Sequence, residues 1–175
     1  QAGRVCIFRI NELFLFLLKI FKPIKTENMK FEILDSISPV GMIEKQKIVD
    51  FLHEHLDEYG DTKEDIMRAL EYGLSESSLQ GGFVLKGYED DKLAGIVLMN
   101  KTGMKGYIPE NILVYIAVNK DFRGKGLGKQ LMQKIIDITE GDIKLHVEPQ
   151  NPARFLYEKV GFENKYLEYR FKQKK

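Results

Sequence analysis

Arg123, Gly124, Gly126, Gly128 and Lys129 crowd into one short run, Arg-Gly-Lys-Gly-Leu-Gly-Lys, whose residue types suit the capture of an anion. Glycine tolerates the backbone conformations that turn successive N–H groups toward one point. A helix that begins there adds the positive end of its dipole. Three phosphate-binding patterns compete for the run, and spacing separates them. A Walker A loop requires glycine, four residues, then Gly-Lys-Ser/Thr, but Arg123 stands where the first glycine belongs and Gln130 follows Lys129. A dinucleotide fingerprint requires Gly-x-Gly-x-x-Gly, and its third glycine falls on Lys129 or on Leu131. The pattern that remains is Arg-x-x-Gly-x-Gly on Arg123, Gly126 and Gly128, with a ligand-free glycine turn as the bland alternative.

The elements around the run fit an anion cradle. Ile112 to Val118 is apolar and rich in β-branched residues, which predicts a buried strand, and Leu131, Ile135 and Ile138 recur at helical spacing. Strand, loop and helix therefore follow one another. A second phrase comes later, Asn151-Pro152-Ala153-Arg154-Phe155-Leu156-Tyr157, closed by Gly161-Phe162. Asparagine at the cap and proline in the first turn predict a short helix through Val160.

These two motifs, in this order, resemble the pyrophosphate loop and the late short helix of the GNAT-type N-acetyltransferase superfamily. The resemblance runs from about Met29 to Phe171. It implies an α/β (α+β) GNAT-like fold, a mixed and mostly antiparallel sheet with flanking helices and a splayed central strand pair. It also implies acetyl-CoA as cofactor and direct transfer of the acetyl group to a primary amine. By position, the backbone N–H of Val118 binds the pantetheine arm, with Ala117 beside it, and that of Ile116 is the catalytic oxyanion donor. Arg123, Gly124, Lys125, Gly126, Leu127, Gly128 and Lys129 hold the pyrophosphate. Asn151 matches the asparagine that contacts the cofactor arm, and it also has a cap to make. Tyr157 matches the general acid that protonates the departing thiolate; its alternative role is core packing. A carboxylate base on the central strand is common in the family, yet Ile112 and Val114 occupy the nearby positions here, which leaves Glu110, His146 and Glu148 as candidates. Tyr115 lines either the acceptor slot or the core.

The rest of the chain supplies the scaffold. Its 175 residues, 43% hydrophobic and 30% charged, suit one ordinary globular domain. The domain reading is 29–175, with 1–28 as an extension that is non-native or upstream of a true start at Met29. Within that extension Leu13 to Leu18 is apolar, which predicts a short helix from about Asn11 to Phe21 that packs on the domain or in a homodimer. At roughly 20 residues needed to span a bilayer, it is too short for a membrane segment. Five basic residues against two acidic ones in 1–28 leave the body mildly acidic, although the net formal charge is +1. No nucleic-acid or membrane partner is expected on that ground. A small-molecule or peptide amine acceptor is, with a cation mildly favoured. The lone Cys6 permits no intrachain disulfide, which fits a cytoplasmic protein.

Strands are predicted at Phe31–Leu34, Gly82–Tyr88, Leu93–Met99, Ile143–Val147 and Tyr166–Phe171. A helix is predicted from the Ser38-Pro39 cap to about Tyr59, with Ile43 on its apolar face and His53 and His55 on or near a solvated one. No metal is expected, because residues two apart on a helix diverge. Thr62 and Asp65 form a capping-box pattern for the next helix. Two readings outside this enzyme class stay open: a silent acyl-CoA-binding or sensor module, and an interaction protein that docks through its first residues.

Overall fold

The computed structural model describes residues 29–77 and 80–173. Five strands form one sheet in sequence order: β1 (Lys30–Leu34), β2 (Gly82–Glu89), β3 (Lys92–Lys101), β4 (Asn111–Val118) and β5 (Ile143–Leu145). The first four pair antiparallel, and β4 with β5 is parallel. The mixed, mostly antiparallel sheet is the one the family resemblance implies. The β2–β3 hairpin turns at Asp90 and Asp91, both at positive φ, the combination that a two-residue turn matched to strand twist requires.

Helices cover both faces. Helices α1 (Met42–His55) and α2 (Lys63–Gly73) lie on one, where Ile48, Val49, Leu52, Ile66 and Leu70 pack with Val84, Ile96, Leu98, Tyr115 and Ala117. Helices α3 (Leu127–Ile138) and α4 (Ala153–Lys159) lie on the other, where Leu131, Met132, Ile135 and Tyr157 pack with Leu85, Val97 and Leu113. Each fully buried Leu or Ile contributes about 1.5–3 kcal/mol relative to exposure, so two cores anchor the sheet from both sides. Leu131 seats α3 closely because Gly95 beneath it has no side chain; a Cβ there would come within 2.5 Å of Leu131 Cδ1.

A bulge divides β4. Leu113 pairs with Met99 and Tyr115 with Leu98, so Val114 is one residue too many. The side chains record the slip: Leu113 packs on the α3/α4 side, Val114 and Tyr115 both on the α1/α2 side, and Ile116 returns to the first. The main chain records it too. Asn111 N–H donates to Asp142 O, 3.0 Å away on the β5 side, whereas Asn119 N–H donates to Ala94 O on the β3 side at 2.9 Å. Counting back by twos from Asn119 leaves Ile116 and Val118 with their peptide groups aimed toward β5. There β5 no longer meets them, since the ladder stops at Leu113↔Leu145 while β4 continues to Val118. The ladder therefore ends where β5 ends, and the edge of β4 beyond Leu113 has no ladder partner among the described residues.

Several expectations need correction. The first helix starts after Gly41, not at Ser38, because the Ser38 hydroxyl is used in a turn with Asp35, accepting from its N–H and donating to its carboxylate, both at 3.0 Å. It ends at His55 and not at Tyr59, because Asp57 adopts φ 56°, which a continuous helix excludes. The later start leaves Ile43 exposed. His55 is buried, with its ring edge-on to Phe51 at 4.5 Å, and so does not belong to the solvated face. Strand β5 ends at Leu145, two residues short of Val147. Tyr166–Phe171 forms no strand: Tyr166, Leu167, Tyr169 and Phe171 are all exposed, and alternation without a partner ladder does not make a strand. The helix expected at Asn11–Phe21 lies outside the described residues. The Thr62 cap is as expected, its hydroxyl accepting from Asp65 N–H at 3.2 Å.

Candidate active site

Beyond Val118 the chain makes one turn of 3₁₀ helix at Lys120–Phe122 and enters the glycine run. Gly124 and Gly126 stand at φ 79° and 80°, and Gly126 is the cap of α3. A side chain at such a φ costs roughly 1–2 kcal/mol, which explains glycine at the cap. Lys129 N–H and Gln130 N–H already return to Gly126 O at 3.1 and 3.2 Å. The amides of Gly124 through Gly128 donate to no other described group, so the first turn of α3 presents a row of unused donors.

A cleft of about 430 Å³ opens over these amides, lined by Val118, Arg123, Gly126, Gly128, Lys129, Leu156 and Lys159 among others. It joins the bare edge of β4 to the loop. Lys129 and Lys159 line it without an ion pair to any described residue. Phe155 and Lys159 of α4 were not singled out from the sequence, although their i, i+4 spacing inside the second motif places them on one helix face. A larger hollow of about 460 Å³ near Ser36, Ser38, Gly41 and Leu74 lies at the opposite end of the strands, away from this chemistry.

Arg123 faces inward from the cleft. Its guanidinium donates to Asp57 Oδ2 at 2.8 Å, to His55 O at 2.6 Å and to Val118 O at 3.3 Å. Lys120 adds a second bridge to Asp57 at 2.7 Å, and both contacts hold the Asp57 carboxyl below its usual range. The loop is thus clasped to the end of α1. Burial, with help from Lys120 and Arg123, lowers the proton affinity of His55 and keeps it neutral. Lys125 reaches Glu89 at 3.6 Å and lies over the Phe122 ring at 4.8 Å.

Tyr157 points into the α3/α4 core, 8% exposed, with Phe162 at 6.2 Å between ring centroids. Burial pushes its hydroxyl up to about 12. It stays protonated throughout the physiological range. Asn151 is expected at the cap of α4, but the helix begins at Ala153 with Pro152 at the cap; Asn151 Oδ1 accepts from Ala153 N–H at 2.9 Å from one position earlier, and its Nδ2 is unused among the described residues. Of the three base candidates, Glu110 is committed elsewhere: its carboxylate accepts Asp142 N–H at 3.0 Å. Six residues of strand, about 20 Å, separate it from Ile116. His146 and Glu148 are exposed beyond β5, and Glu148 accepts from Gln150 at 2.8 Å. The structure brings Ile116, Val118, the glycine run and α4 together, and keeps Glu110 apart. Tyr115 makes a contact that the sequence did not reveal, donating to Asp61 Oδ2 at 2.6 Å.

Residues 48–162 match the Acetyltransferase (GNAT) family. The chain is a GNAT protein. A curated relative, the 5-NmdU N-acetyltransferase of Pseudomonas phage PaMx11, is 30% identical over 90 residues, which is 50% of this chain and 62% of that protein. The match therefore spans under two thirds of the relative's length. Among solved structures, a possible acetyltransferase from Clostridium difficile 630 superposes with a TM-score of 0.60 at 19% identity, covering 83% of this chain and 99% of that one. The aminoglycoside N-acetyltransferase AAC(6')-Iy in complex with CoA gives 0.58 at 14% identity, covering 85% and 97%. These likenesses establish the GNAT fold. Among the described residues no helix is long and apolar enough to cross a membrane, and no group of His, Cys, Asp or Glu is placed to hold a metal ion.

Proposed function

We propose that this GNAT chain is an acetyl-CoA-dependent N-acetyltransferase that moves the acetyl group to a primary amine by direct attack. The observation that carries this reading is continuity: a strand edge without a ladder partner at Ile116 and Val118 runs directly into the unused amides of Gly124 through Gly128. An extended amide-bearing arm ending in a pyrophosphate is the ligand that such a surface complements. Bound acetyl-CoA would supply an acetyl group activated as a thioester.

The chain's own residues would do the rest. Val118 N–H and the neighbouring Ala117 segment hold the arm, while the glycine run and Lys129 hold the anion, helped by Lys159. Arg123 braces the loop and does not itself grip the anion, because its side chain is engaged with Asp57 and His55 and its N–H donates to Lys120 O at 3.3 Å. Ile116 N–H faces the gap, where it can donate to the acyl oxygen as negative charge develops there. Asn151 Nδ2 remains available to the arm. Tyr157 retains a proton to give to the sulfur leaving group.

The acceptor amine, with an ordinary pKa of about 10.4, must lose one proton to become nucleophilic. As its nitrogen bonds to the acyl carbon and the carbon–sulfur bond breaks, a second nitrogen-bound proton balances the one delivered to sulfur. The products are the amide, the free thiol and one released proton. The test is calorimetric titration with CoA, then thiol release from acetyl-CoA across a panel of polyamines, aminoglycosides, peptide N-termini and 5-NmdU. Saturable CoA binding and turnover of at least one amine are expected. CoA binding with no turnover of any amine would replace the enzyme reading with a silent acyl-CoA-binding module.

A further inference from the structure

Residues 56–62, between α1 and α2, are tied down at two places. Near their start Asp57 is held by Lys120 and Arg123 from the phosphate-loop side. Near their end Asp61 accepts the Tyr115 hydroxyl at 2.6 Å. Tyr115 is only 8% exposed, packed in the α1/α2 core, yet its O–H reaches an exposed carboxylate. A charge-assisted hydrogen bond from a buried, rotationally fixed donor holds that carboxylate in one place. Asp61 Oδ1 has no partner among the described residues.

We propose that Asp61 is the acceptor-binding residue, its carboxylate receiving the ammonium group of a cationic amine at the α1/α2 mouth of the gap between β4 and β5, with Tyr115 as its positioning residue. This rests on the acetyl-CoA reading above. The two faces of the gap argue for it. The cleft along the glycine run lies on the α3/α4 side, bounded by Val118, Leu127 and Leu156, so a cofactor enters there. An acceptor must then arrive from the opposite face. On that face β4 presents Val114, Tyr115 and Ala117, which have no carboxylate of their own. Tyr115 directly precedes Ile116, the residue whose N–H faces the gap, and the bulge at Val114 puts both Val114 and Tyr115 on this face. Asp61 thus brings a negative charge to a stretch of strand that lacks one.

The experiment titrates the CoA-loaded protein with 1,5-diaminopentane and, as its uncharged counterpart, 1,5-pentanediol. The expected result is that the diamine binds and the diol does not. Asp61→Asn should weaken diamine affinity about tenfold or more. Tyr115→Phe, which keeps the buried ring, should weaken it about threefold, and CoA affinity should be unchanged in both variants. Rescue by Asp61→Glu to within a few-fold of the original affinity would support a charge requirement over a packing one. Diamine affinity unchanged in Asp61→Asn, equal binding of the diol, or a CoA-loaded protein that ignores the diamine would each overturn the assignment. Failure of the original chain to bind CoA would instead overturn the acetyl-CoA reading itself.

Discussion

On the α3/α4 face the chain offers main-chain amides, glycines and a helix terminus, whereas on the α1/α2 face it offers side chains joined across long sequence separations. Ile116 and Val118 serve the first face through their peptide groups. Tyr115 and Asp61, separated by 54 residues, meet on the second only because the sheet and the α1–α2 connection bring them together. The difference teaches where specificity resides. On the function proposed above, a surface of backbone donors would recognise what every acetyl-CoA carries, while a surface of side chains would be free to differ from one acceptor to the next.

The largest effect should come from the chemistry at the cofactor face. Tyr157→Phe keeps the ring in its core and should lower turnover about 10²-fold or more with CoA affinity nearly unchanged, the range typical for a lost general acid. Steady-state kinetics and calorimetry together read this split. A fully active variant would remove Tyr157 from the mechanism and leave it as core. Next in size, Gly126→Val places a branched side chain at φ 80° and should weaken CoA binding about tenfold, since one displaced amide donor to a charged group is worth roughly 1.5–3 kcal/mol. Equal CoA affinity would break the claim that backbone geometry grips the pyrophosphate.

A smaller effect is expected where the two faces are clasped together. His55 has a proton affinity lowered from its ordinary 6.5, chiefly by burial, with Glu54 and Asp57 opposing and Lys120 and Arg123 reinforcing the shift. The unfolded chain therefore binds a proton at His55 that the folded chain refuses in the window below about 6.5. Stability from this group is complete above that pH and is lost as pH falls through the window toward the lowered value. Melting temperature measured from pH 7.5 to 5 should drop more for the original chain than for His55→Asn. Identical slopes would show that His55 is not linked to folding. The smallest effect belongs to Ile116→Val, which leaves the N–H in place and should alter turnover by less than about twofold. A large loss there would shift the role from backbone to side chain.

How much of this was legible from the sequence divides along the same line. The strand at Ile112–Val118, observed as Asn111–Val118, and the loop and helix after it were readable because strand propensity, positive-φ glycines and helical periodicity are local properties. The Thr62 cap was readable for the same reason. Ser38 misled because its hydroxyl had two local uses, a helix cap or a turn with Asp35, and the turn prevailed. Tyr166–Phe171 misled because alternation reports a preference for extended backbone and not the presence of a neighbour to pair with. The engagement of Arg123 with Asp57, and of Tyr115 with Asp61, depends on contacts made across the fold, which no spacing rule encodes.

The extra residue at Val114 gives the site its local shape, because a bulge bends and further twists the strand just before Ile116. A conservative substitution there leaves the count intact. Deleting that single residue would leave Leu113 opposite Met99 and Tyr115 opposite Leu98 in an unbroken ladder, so Ile116 and Val118 would keep their peptide directions and only the local bend and added twist of the bulge would be lost. The chain would keep its donors at the opening and yet lose the bend just before them, a change of shape that no count of charges or apolar residues records.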